Sequence, residues 1–362
     1  MRILLIGEYS NVHWTLAQGL KSLGHEVCVI SNGDFWKNYP RDIDVARTPG
    51  KLGGIRLMLK LWSILPKMRG FDVVQFINPM FFELKAERLF WFYRYLRKHN
   101  KRVYLGAFGM DYYWVHECIE HKPLRYSDFN IGEELRTNED AMKERADWLG
   151  TAKERLNKMI ANDCDGIVTG LYEYDVCYRQ SFPEKTCFIP FPIIPITSLT
   201  PLTSLTPLKI FVGISKQRSA YKGTDTMLKA AEAIASKYPE KVILEKAEGV
   251  PFATYQQMIN SSDVLLDQLY SYTPAMNALL AMSKGIVVVG GGEPENYEIL
   301  GETELRPIVN VEPNYDSVYH ELEQLVLHPE RIPELKRQSI EYIKKHHDFV
   351  KVAMQYVDFW NR

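Results

Sequence analysis

The sequence predicts an α/β protein built from two doubly wound, parallel-sheet domains that follow one another along the chain. Three observations lead to this prediction. Short apolar runs alternate with amphipathic stretches of helical length through both halves of the chain, as strands and helices do in such domains. A proline-rich stretch separates the two series of alternating segments. With 362 residues, of which 46% are hydrophobic, the chain is long enough to fill two cores.

The first half opens with the pattern of a βαβ unit. Arg2 to Ile6 is a predicted buried strand, and Trp14 to Leu23 is a predicted helix that Gly24 would end as a C-cap. Val27 to Ile30 is the next strand, at a spacing that implies parallel pairing. Further strands are predicted at 73–76, 103–105 and 167–169, and helices at 82–99 and 153–160. We therefore expect a doubly wound domain over residues 1–190.

Residues 191–208 are rich in proline and contain two copies of the hexapeptide Thr-Ser-Leu-Thr-Pro-Leu. Because repeated prolines are incompatible with helix and central strand, we interpret these residues as a semi-rigid linker, with a docking peptide as the alternative. A second domain is predicted over residues 209–335. Its strands are predicted at 209–213, 242–244, 264–266 and 286–289, and its helices at 224–237, 252–261, 275–284 and 315–327. Residues 336–362 are predicted to form a C-terminal helix that could pack back on the first domain.

Composition and charge argue against several classes of protein. A net charge of -1 disfavours nucleic-acid binding, which requires a strong positive field. The five cysteines form no Cys-x-x-Cys pair, which favours a reducing compartment over a disulfide scaffold. The apolar run at the N-terminus is too short for a signal peptide, and no run reaches the length of a membrane span. We expect a cytoplasmic protein, and the histidines show no metal-ligand spacing.

The loop after the first strand reads Gly7-Glu8-Tyr9-Ser10-Asn11. It lacks the Gly-x-Gly-x-x-Gly fingerprint, which argues against a dinucleotide-dependent dehydrogenase. Ligands of parallel α/β sheets bind at the carboxyl ends of strands, close to helix N-termini. We therefore predict that Gly7, Tyr9, Ser10 and Asn11 line a cleft on the acceptor side. An ordinary strand-to-helix turn is the alternative.

The second domain opens with Phe-Val-Gly-Ile-Ser-Lys-Gln-Arg-Ser-Ala-Tyr-Lys-Gly-Thr-Asp at 211–225. This stretch resembles the start of the donor domain in GT-B-fold glycosyltransferases of the large retaining, GT4-like class, which uses UDP- or GDP-sugars. The resemblance implies that Lys216 or Arg218 binds the diphosphate, and that Gly213 and the pair Lys222-Gly223 complete its site. Such cations would stabilise the negative charge that develops on the leaving group. Solvated surface cations are the alternative.

The stretch 264–290 resembles the donor-sugar loop of this class and the helix after it, ending in Ala-Met-Ser-Lys-Gly at 281–285. The class usually has two glutamates in this stretch, and this chain has Tyr272 and Leu280 in their place. We expect other polar residues to contact the sugar: Gln268, Ser271, Thr273 and Asn277. Glu293 and Glu295, which follow three consecutive glycines, are expected to supply the missing carboxylate.

The first domain carries a counterpart of the His-Gly-Ser-Asp-like turn that the same class often has after a middle strand. The matching stretch is Gly-Ala-Phe-Gly-Met-Asp at 106–111. Phe108 replaces the histidine, whereas Asp111 is retained. Asp111 is our candidate catalytic carboxylate, because it follows a buried strand. A helix N-cap is the equal alternative, since aspartate is a preferred capping residue.

The resemblance implies two Rossmann-like domains that face each other across a cleft. It also implies transfer of a sugar from a UDP- or GDP-sugar to a glycan or lipid-linked acceptor, as in surface polysaccharide biosynthesis, by a retaining mechanism without cofactor or metal. Two alternatives stay open. A catalytically silent, transferase-like binding subunit would explain the missing glutamates and histidine. A sugar-nucleotide 2-epimerase of the same fold would need acid and base groups beside the sugar.

Two basic stretches of the first half suggest a further partner. Residues 45–71 contain six lysines and arginines and no acidic residue, and residues 88–102 combine cations with five aromatic residues. Basic amphipathic helices bind anionic lipid surfaces. We predict peripheral contact with the inner face of the plasma membrane through these stretches. The alternative is that both are ordinary helices with apolar faces in the core and solvated cations outside.

Overall fold

The computed structural model describes residues 1–195, 207–214 and 222–362. They form two compact units, neither of which is a single stretch of chain. The first unit comprises Met1–Pro123, Glu144–Pro192 and Phe349–Arg362, and the second comprises Leu124–Lys143 and Ile193–Asp348. The chain therefore passes between the two units several times.

The regular elements alternate between strand and helix in both units. The strands are β1 (Arg2–Ile6), β2 (Glu26–Ser31), β3 (Ile43–Asp44), β4 (Val73–Phe76), β5 (Arg102–Ala107), β6 (Asn130–Ile131), β7 (Glu134–Leu135), β8 (Gly166–Thr169), β9 (Thr186–Phe188), β10 (Leu208–Ile214), β11 (Val242–Glu248), β12 (Val264–Leu266) and β13 (Val287–Val289). The α-helices are α1 (Val12–Ser22), α2 (Gly53–Ile64), α3 (Ala86–His99), α4 (Tyr112–Glu120), α5 (Glu139–Trp148), α6 (Ala152–Asp163), α7 (Tyr172–Ser181), α8 (Thr224–Lys237), α9 (Phe252–Asn260), α10 (Met276–Ser283), α11 (Pro294–Leu300), α12 (Tyr315–Leu327), α13 (Ile332–Tyr342) and α14 (Phe349–Trp360).

The first unit is built on a parallel sheet with the strand order β3-β2-β1-β4-β5-β8-β9. Strands β4 and β8 are buried along their whole length, as expected for a parallel sheet covered by helices on both faces. The strand order reverses between β1 and β4. In open sheets of this kind, ligands bind at the carboxyl ends of the strands beside such a reversal, so the loops after β1 and β4 are candidate site loops.

Helix α14 belongs to the first unit, where it packs against α1. Gly19 allows this close packing, because a Cβ atom on Gly19 would lie 2.8 Å from the Cβ of Ala353. The sequence suggested one terminal helix, but the structure contains two helices and a π-helical segment, Ile343–His347, between them. The helical path is interrupted at Asp348, which has a φ of -56° and a ψ of 125°, and α14 begins at the next residue.

The second unit is built on a four-stranded parallel sheet with the order β11-β10-β12-β13. Its hydrophobic core joins residues of all four strands to residues of α8 and α12. Residues 124–143 complete the unit and contain the antiparallel pair β6-β7. The sequence placed these residues in a domain spanning 1–190. Their side chains, however, bond to residues near position 293, which accounts for their place in the second unit.

Candidate functional site

The carboxyl ends of β10 and β12 lie side by side in the second unit, because Val212 pairs with Leu266. Gly213 follows Val212, and a Cβ atom there would lie 2.8 Å from the ring and the hydroxyl of Tyr255. The Tyr255 hydroxyl accepts a hydrogen bond of 3.2 Å from Nδ2 of Asn277. Two residues expected at the donor site, Gly213 and Asn277, are thus linked through a tyrosine that the sequence analysis did not select.

Asp267 is the first residue after β12 and is partly buried. Burial raises the pKa of its carboxyl group to about 6, while the positive charge of Lys222 and a hydrogen bond from Asn277 act in the opposite direction. The strand edge therefore brings an ammonium and a carboxylate together, in the place where ligands of such sheets bind. Sequence reasoning missed Asp267, although its position directly after a predicted strand was the available signal.

Gly223 is the N-cap of α8 and has a φ of 71°, a conformation that glycine adopts without strain. A Cβ atom at this position would lie 2.5 Å from the Cβ of Leu269. The Leu269 N–H donates a hydrogen bond of 2.9 Å to the carbonyl of Lys222. The Lys-Gly pair is therefore fixed against the loop that follows β12. Lys216 and Arg218, the other predicted phosphate ligands, lie outside the described residues.

Hydrogen bonds to backbone carbonyls fix the loop after β12 and the glycine triplet after β13. Ser271 and Thr273 are buried, and the Ser271 hydroxyl donates a hydrogen bond of 2.7 Å to the Thr273 carbonyl. Gln268 is partly buried. In the glycine triplet after β13, the N–H of Gly290 donates a hydrogen bond of 2.9 Å to the carbonyl of Val309. These hydrogen bonds connect the two loops that follow β12 and β13 to backbone carbonyls.

Glu293 and Glu295 bind the chain segment 124–143. Glu293 is buried and accepts hydrogen bonds from the Tyr126 hydroxyl at 2.6 Å, Nη2 of Arg125 at 2.7 Å and Nδ2 of Asn310 at 3.0 Å. Glu295 forms an ion pair with the same guanidinium of Arg125. The described contacts thus pair both carboxylates with this segment, and their role as sugar ligands stays a prediction.

Arg125 and Arg136 each stack on a tyrosine of the loop that follows β12. The Arg125 guanidinium lies 5.0 Å from the ring centre of Tyr272, and that of Arg136 lies 3.9 Å from the ring centre of Tyr270. Tyr272 occupies the position at which the resembling class has its first glutamate. No local pattern in the sequence predicts these stacks, because the partners are more than 130 positions apart.

In the first unit, the loop after β1 is organised around Glu8. Its buried carboxylate accepts hydrogen bonds from the N–H groups of His13 at 3.2 Å and Trp14 at 2.9 Å, so it binds the N-terminal turn of α1. Burial raises the pKa of Glu8 to about 8 and lowers the pKa of His13 to about 3. Nδ1 of His13 lies 2.8 Å from the carbonyl of Gly7. Gly7 is therefore part of a buried hydrogen-bonded turn.

The predicted cleft residues that follow are only partly buried. The Ser10 N–H donates to Oδ2 of Asp34 at 2.8 Å, and Nζ of Lys37 donates to the Ser10 hydroxyl at 3.0 Å. Asn11 is in the left-handed region, with a φ of 71°. Its Oδ1 is buried without a hydrogen-bond partner among the described residues. The ring of Tyr9 packs against Gly109, from the loop after β5.

Asp111 is fully buried and caps α4. Oδ1 accepts a hydrogen bond from the Trp114 N–H at 2.9 Å, and Oδ2 accepts one from the Tyr178 hydroxyl at 2.7 Å. Burial raises the pKa of this carboxyl group to about 7. Of the two roles that the sequence left open, the described contacts show the N-cap. Phe108, at the position of the absent histidine, packs edge-on against Phe191.

A groove of about 440 Å³ opens in the first unit at the N-terminal ends of α3 and α6. Its lining includes charged residues of both signs: Arg47, Glu83, Lys85, Glu87, Asp147 and Lys153. The Arg47 N–H donates to Oε2 of Glu83 at 3.0 Å. Such a surface suits a polar ligand with several hydroxyl groups. The sequence analysis did not predict this groove, since its residues come from three separate stretches.

Among the described residues, one group could hold a metal ion: His116, Glu117 and His121, whose ligand atoms lie within 4.8 Å of one another. Nδ1 of His121 lies 2.6 Å from Oε2 of the buried Glu117, and Nδ1 of His116 lies 3.3 Å from Oε1. Hydrogen bonds already account for these contacts. The group also lies at the C-terminal end of α4, away from the loop that contains Asp111.

No protein-family model and no curated protein sequence matches the chain. Solved structures do match. Sucrose-phosphate synthase from Thermosynechococcus elongatus has a TM-score of 0.63 at 12% identity, over 100% of this chain and 98% of that protein. Anabaena HepE in complex with UDP and glucose has a TM-score of 0.60 at 10% identity, over 99% and 98% of the two chains.

The UDP-GlcNAc 2-epimerase from Neisseria meningitidis, bound to UDP-GlcNAc, has a TM-score of 0.55 at 12% identity, over 99% of both chains. At sequence identities this low, the structural similarity shows a shared fold alone. The likenesses extend over nearly the whole chain and agree with the two parallel sheets described above, which confirms the fold class predicted from the sequence. The chain therefore has a GT-B glycosyltransferase-like fold with two Rossmann-like units.

Proposed function

We propose that this protein is a glycosyltransferase that binds a UDP- or GDP-sugar in its second unit and transfers the sugar to a glycan or lipid-linked acceptor, as in surface polysaccharide biosynthesis. The observation that carries the proposal is the placement of Lys222, at the start of α8, against the loop after β12 and within electrostatic reach of Asp267. The GT-B glycosyltransferase-like fold supports it, as does the presence of UDP in a complex of the similar protein HepE.

Lys222 is the described cation of the proposed diphosphate site. When the bond between the sugar C1 and the diphosphate oxygen breaks, its electron pair stays on the leaving oxygen. A nearby ammonium stabilises that charge more in the transition state than in the bound donor. Lys216 and Arg218 are proposed to share this role, on the evidence of the sequence alone. Asn277 is proposed to hydrogen-bond to the donor hydroxyls, and Asp267, which faces the charge of Lys222, is proposed to lie beside the diphosphate and to disfavour its binding when ionised.

We assign the acceptor to the first unit. The loop with Gly7, Tyr9, Ser10 and Asn11 follows β1 at the reversal of strand order, where ligands of open sheets bind. The charged groove near α3 and α6 offers further hydrogen-bonding groups for a glycan. A retaining outcome would follow if the departing phosphate accepts the proton of the attacking hydroxyl on the same face of the sugar. This chemistry needs neither a metal nor an enzymic nucleophile.

A sugar-nucleotide 2-epimerase is the second candidate function. The likeness to the Neisseria meningitidis epimerase extends over 99% of both chains. Epimerisation requires an acid or base beside the sugar carbon, and the sequence analysis found none in the donor loop. Asp267, with its pKa raised to about 6, is a carboxyl group that could serve. The third candidate function is that of a catalytically silent subunit, which would bind nucleotide-sugars without turning them over.

The test combines binding and product analysis on the full chain. A thermal-shift screen of UDP, GDP and their sugars identifies the donor, because a ligand that binds the folded state raises the unfolding midpoint. Mass spectrometry then follows the donor with a mixture of glycan acceptors. A glycosylated acceptor supports the transferase, an isomerised donor supports the epimerase, and binding without product supports the silent subunit.

Lys222→Ala should lower donor affinity at least about tenfold, which is the effect of losing one charge-assisted contact. Lys229→Ala is the matched control, because Lys229 is an exposed lysine of the adjoining helix α8. Equal affinities of both variants and the unmodified protein for every nucleotide-sugar would refute the proposed diphosphate site.

A further inference from the structure

Helix α2 has two apolar faces, and only one of them packs into the first unit. Leu57, Leu61 and Ile64 are buried. Four large apolar side chains point the other way, with exposed fractions of 58% for Leu52, 54% for Ile55, 58% for Leu59 and 54% for Trp62. Their spacing of three, four and three residues places them in one stripe along the helix.

This stripe is not explained by the core. A helix on the surface of a globular protein normally turns polar residues to solvent, and neighbouring exposed apolar side chains mark interaction sites. The alternative prediction, that the apolar faces of these helices lie in the core, accounts for Leu57, Leu61 and Ile64. It does not account for the second, exposed row of apolar side chains.

Cations border the stripe. Lys51, Arg56 and Lys60 are exposed, and the chain has no acidic residue from 45 to 71. Lys60 lies 4.0 Å from Asp44, at the outer limit of an ion pair. Within the described part of the chain, Lys51 and Arg56 make no ion pair. The helix therefore presents apolar and positively charged groups to the same side.

The outer face of α3 meets the chain just beyond the C-terminal end of α2. Arg88, Trp91, Tyr95 and Lys98 follow one another at the same spacing of three, four and three residues, and the Trp91 and Tyr95 rings stack with their centres 5.4 Å apart. The Tyr95 hydroxyl donates a hydrogen bond of 3.1 Å to the carbonyl of Leu65, the residue directly after α2.

Arg69 completes the junction, because its guanidinium lies 5.1 Å from the ring centre of Tyr95. The two basic stretches of the sequence thus meet at one place on the first unit. Together they combine a row of aliphatic and indole side chains with a border of lysines and arginines.

We propose that this surface, formed by the outer faces of α2 and α3, docks on an anionic lipid membrane. Leu52, Ile55, Leu59 and Trp62 enter the boundary between headgroups and acyl chains, and the cations pair with lipid phosphates. A lipid surface accounts for both features at once, since apolar burial and a negative potential lie in the same plane there. Within the described ranges no helix is long and apolar enough to cross a bilayer, so the proposal concerns surface contact alone.

Sedimentation with lipid vesicles tests the proposal on the full chain. The protein should pellet with vesicles of phosphatidylcholine and phosphatidylglycerol, remain in the supernatant with pure phosphatidylcholine, and be released by added salt. The double variant Leu59→Gln/Trp62→Gln should lower the partition coefficient at least about tenfold, because it removes two apolar side chains from the interface. Arg56→Gln/Lys60→Gln should lower it roughly 30-fold, at about 1 kcal/mol for each cation.

Matched controls lie in the second unit. Ile243→Gln/Leu327→Gln changes two exposed apolar residues, and Lys229→Gln/Lys241→Gln changes two exposed lysines; both should leave partitioning unchanged. Equal fractions of protein in the supernatant with the two kinds of vesicle would overturn the proposal. So would a dimer in solution that Leu59→Gln/Trp62→Gln dissociates, because the stripe would then be a contact between proteins. Sedimentation needs no nucleotide, so its result is independent of the proposed donor site.

Discussion

The hydroxyl of Tyr126 donates a hydrogen bond of 2.6 Å to the carboxylate of Glu293, although 167 positions separate the two residues. The same carboxylate also accepts hydrogen bonds from Arg125 and Asn310. Because Glu293 pairs with the guanidinium of Arg125, these bonds are charge-assisted, and because Glu293 is buried they are little weakened by solvent. They attach residues 124–143 to the chain beside the donor loop.

Tyr126→Phe should lower the free energy of unfolding of the second unit by about 1.5–3 kcal/mol, the usual contribution of a hydrogen bond to a charged group. Urea denaturation measures the change. Tyr315→Phe serves as the control, since Tyr315 is exposed and belongs to the same unit. A Tyr126 variant as stable as the control would show that the bond to Glu293 does not hold the segment.

Binding of a nucleotide-sugar should weaken as the pH rises through about 6, the pKa to which burial raises the Asp267 carboxyl. Below this value the carboxyl is neutral; above it, the negative carboxylate repels the diphosphate, which stays ionised throughout. Asp267→Asn should remove this dependence and bind about tenfold more tightly at pH 8, a difference of roughly 1.4 kcal/mol. Calorimetric titration across the pH range is the measurement.

Asp316→Asn is the control for that titration, because Asp316 is an exposed carboxylate of the same unit. Its pH profile should match that of the unmodified protein. An unchanged slope in Asp267→Asn would exclude this carboxyl from the neighbourhood of the bound diphosphate.

Asp111→Asn should retain activity, since asparagine caps helices as well as aspartate does. Burial raises the pKa of Asp111 from 3.8 to about 7, so the folded protein holds this proton more tightly than the unfolded chain. The contribution of this group to stability is therefore greatest at low pH, and up to about 4 kcal/mol of it is lost between pH 4 and pH 7.

The difference in unfolding free energy between the unmodified protein and Asp111→Asn, measured against pH, should follow that loss. Asp111→Ala should in addition lose about 1 kcal/mol through the missing cap. If Asp111→Asn instead folds normally and loses 10²-fold or more of its turnover, the carboxylate is catalytic.

Gly223→Ala should be more destabilising than Gly249→Ala. Both glycines have positive φ, 71° and 64°, so both substitutions carry the strain of an alanine in the left-handed region. Only at Gly223 would the new Cβ meet a neighbour, at 2.5 Å from Leu269, whereas at Gly249 nothing lies within 4 Å. We expect an additional loss of about 1–3 kcal/mol at Gly223. Equal losses of unfolding free energy in the two variants would show that the loop after β12 can shift to accommodate the new Cβ atom.

Local patterns in the sequence were sufficient to predict five of the seven strands of the first sheet and all four of the second, but not the short strands β3 and β9 or the pair β6-β7. The run Arg2 to Ile6, the helix after it and the strand at Val27 lie within 30 positions, and βαβ spacing predicts their parallel pairing. The start of α1 at Val12, two residues before the predicted start, was not predictable because Glu8 binds its first turn from outside the helix. The Lys-Gly pair at 222–223 was found by resemblance. The structure places it at the start of α8, against the loop after β12, and its role as a phosphate ligand stays a prediction.

Partners distant in sequence leave no such pattern. Arg125 reaches Glu293 across 168 positions, and nothing in the residues around either one indicates the other. Tyr178 likewise reaches Asp111 across 67 positions, which is why the sequence left two roles open for that carboxylate. Asp267 could have been selected, since it directly follows a predicted strand.

The order in which the chain contributes to its two units has a consequence for synthesis on the ribosome. The first unit requires Phe349–Arg362, so α1 lacks its packing partner α14 until those residues have been translated. The second unit requires Leu124–Lys143, which emerge long before the strands they join. A premature stop after residue 348 would thus remove part of the unit that was translated first. For the same reason, expression of either half as a contiguous fragment would yield an incomplete core.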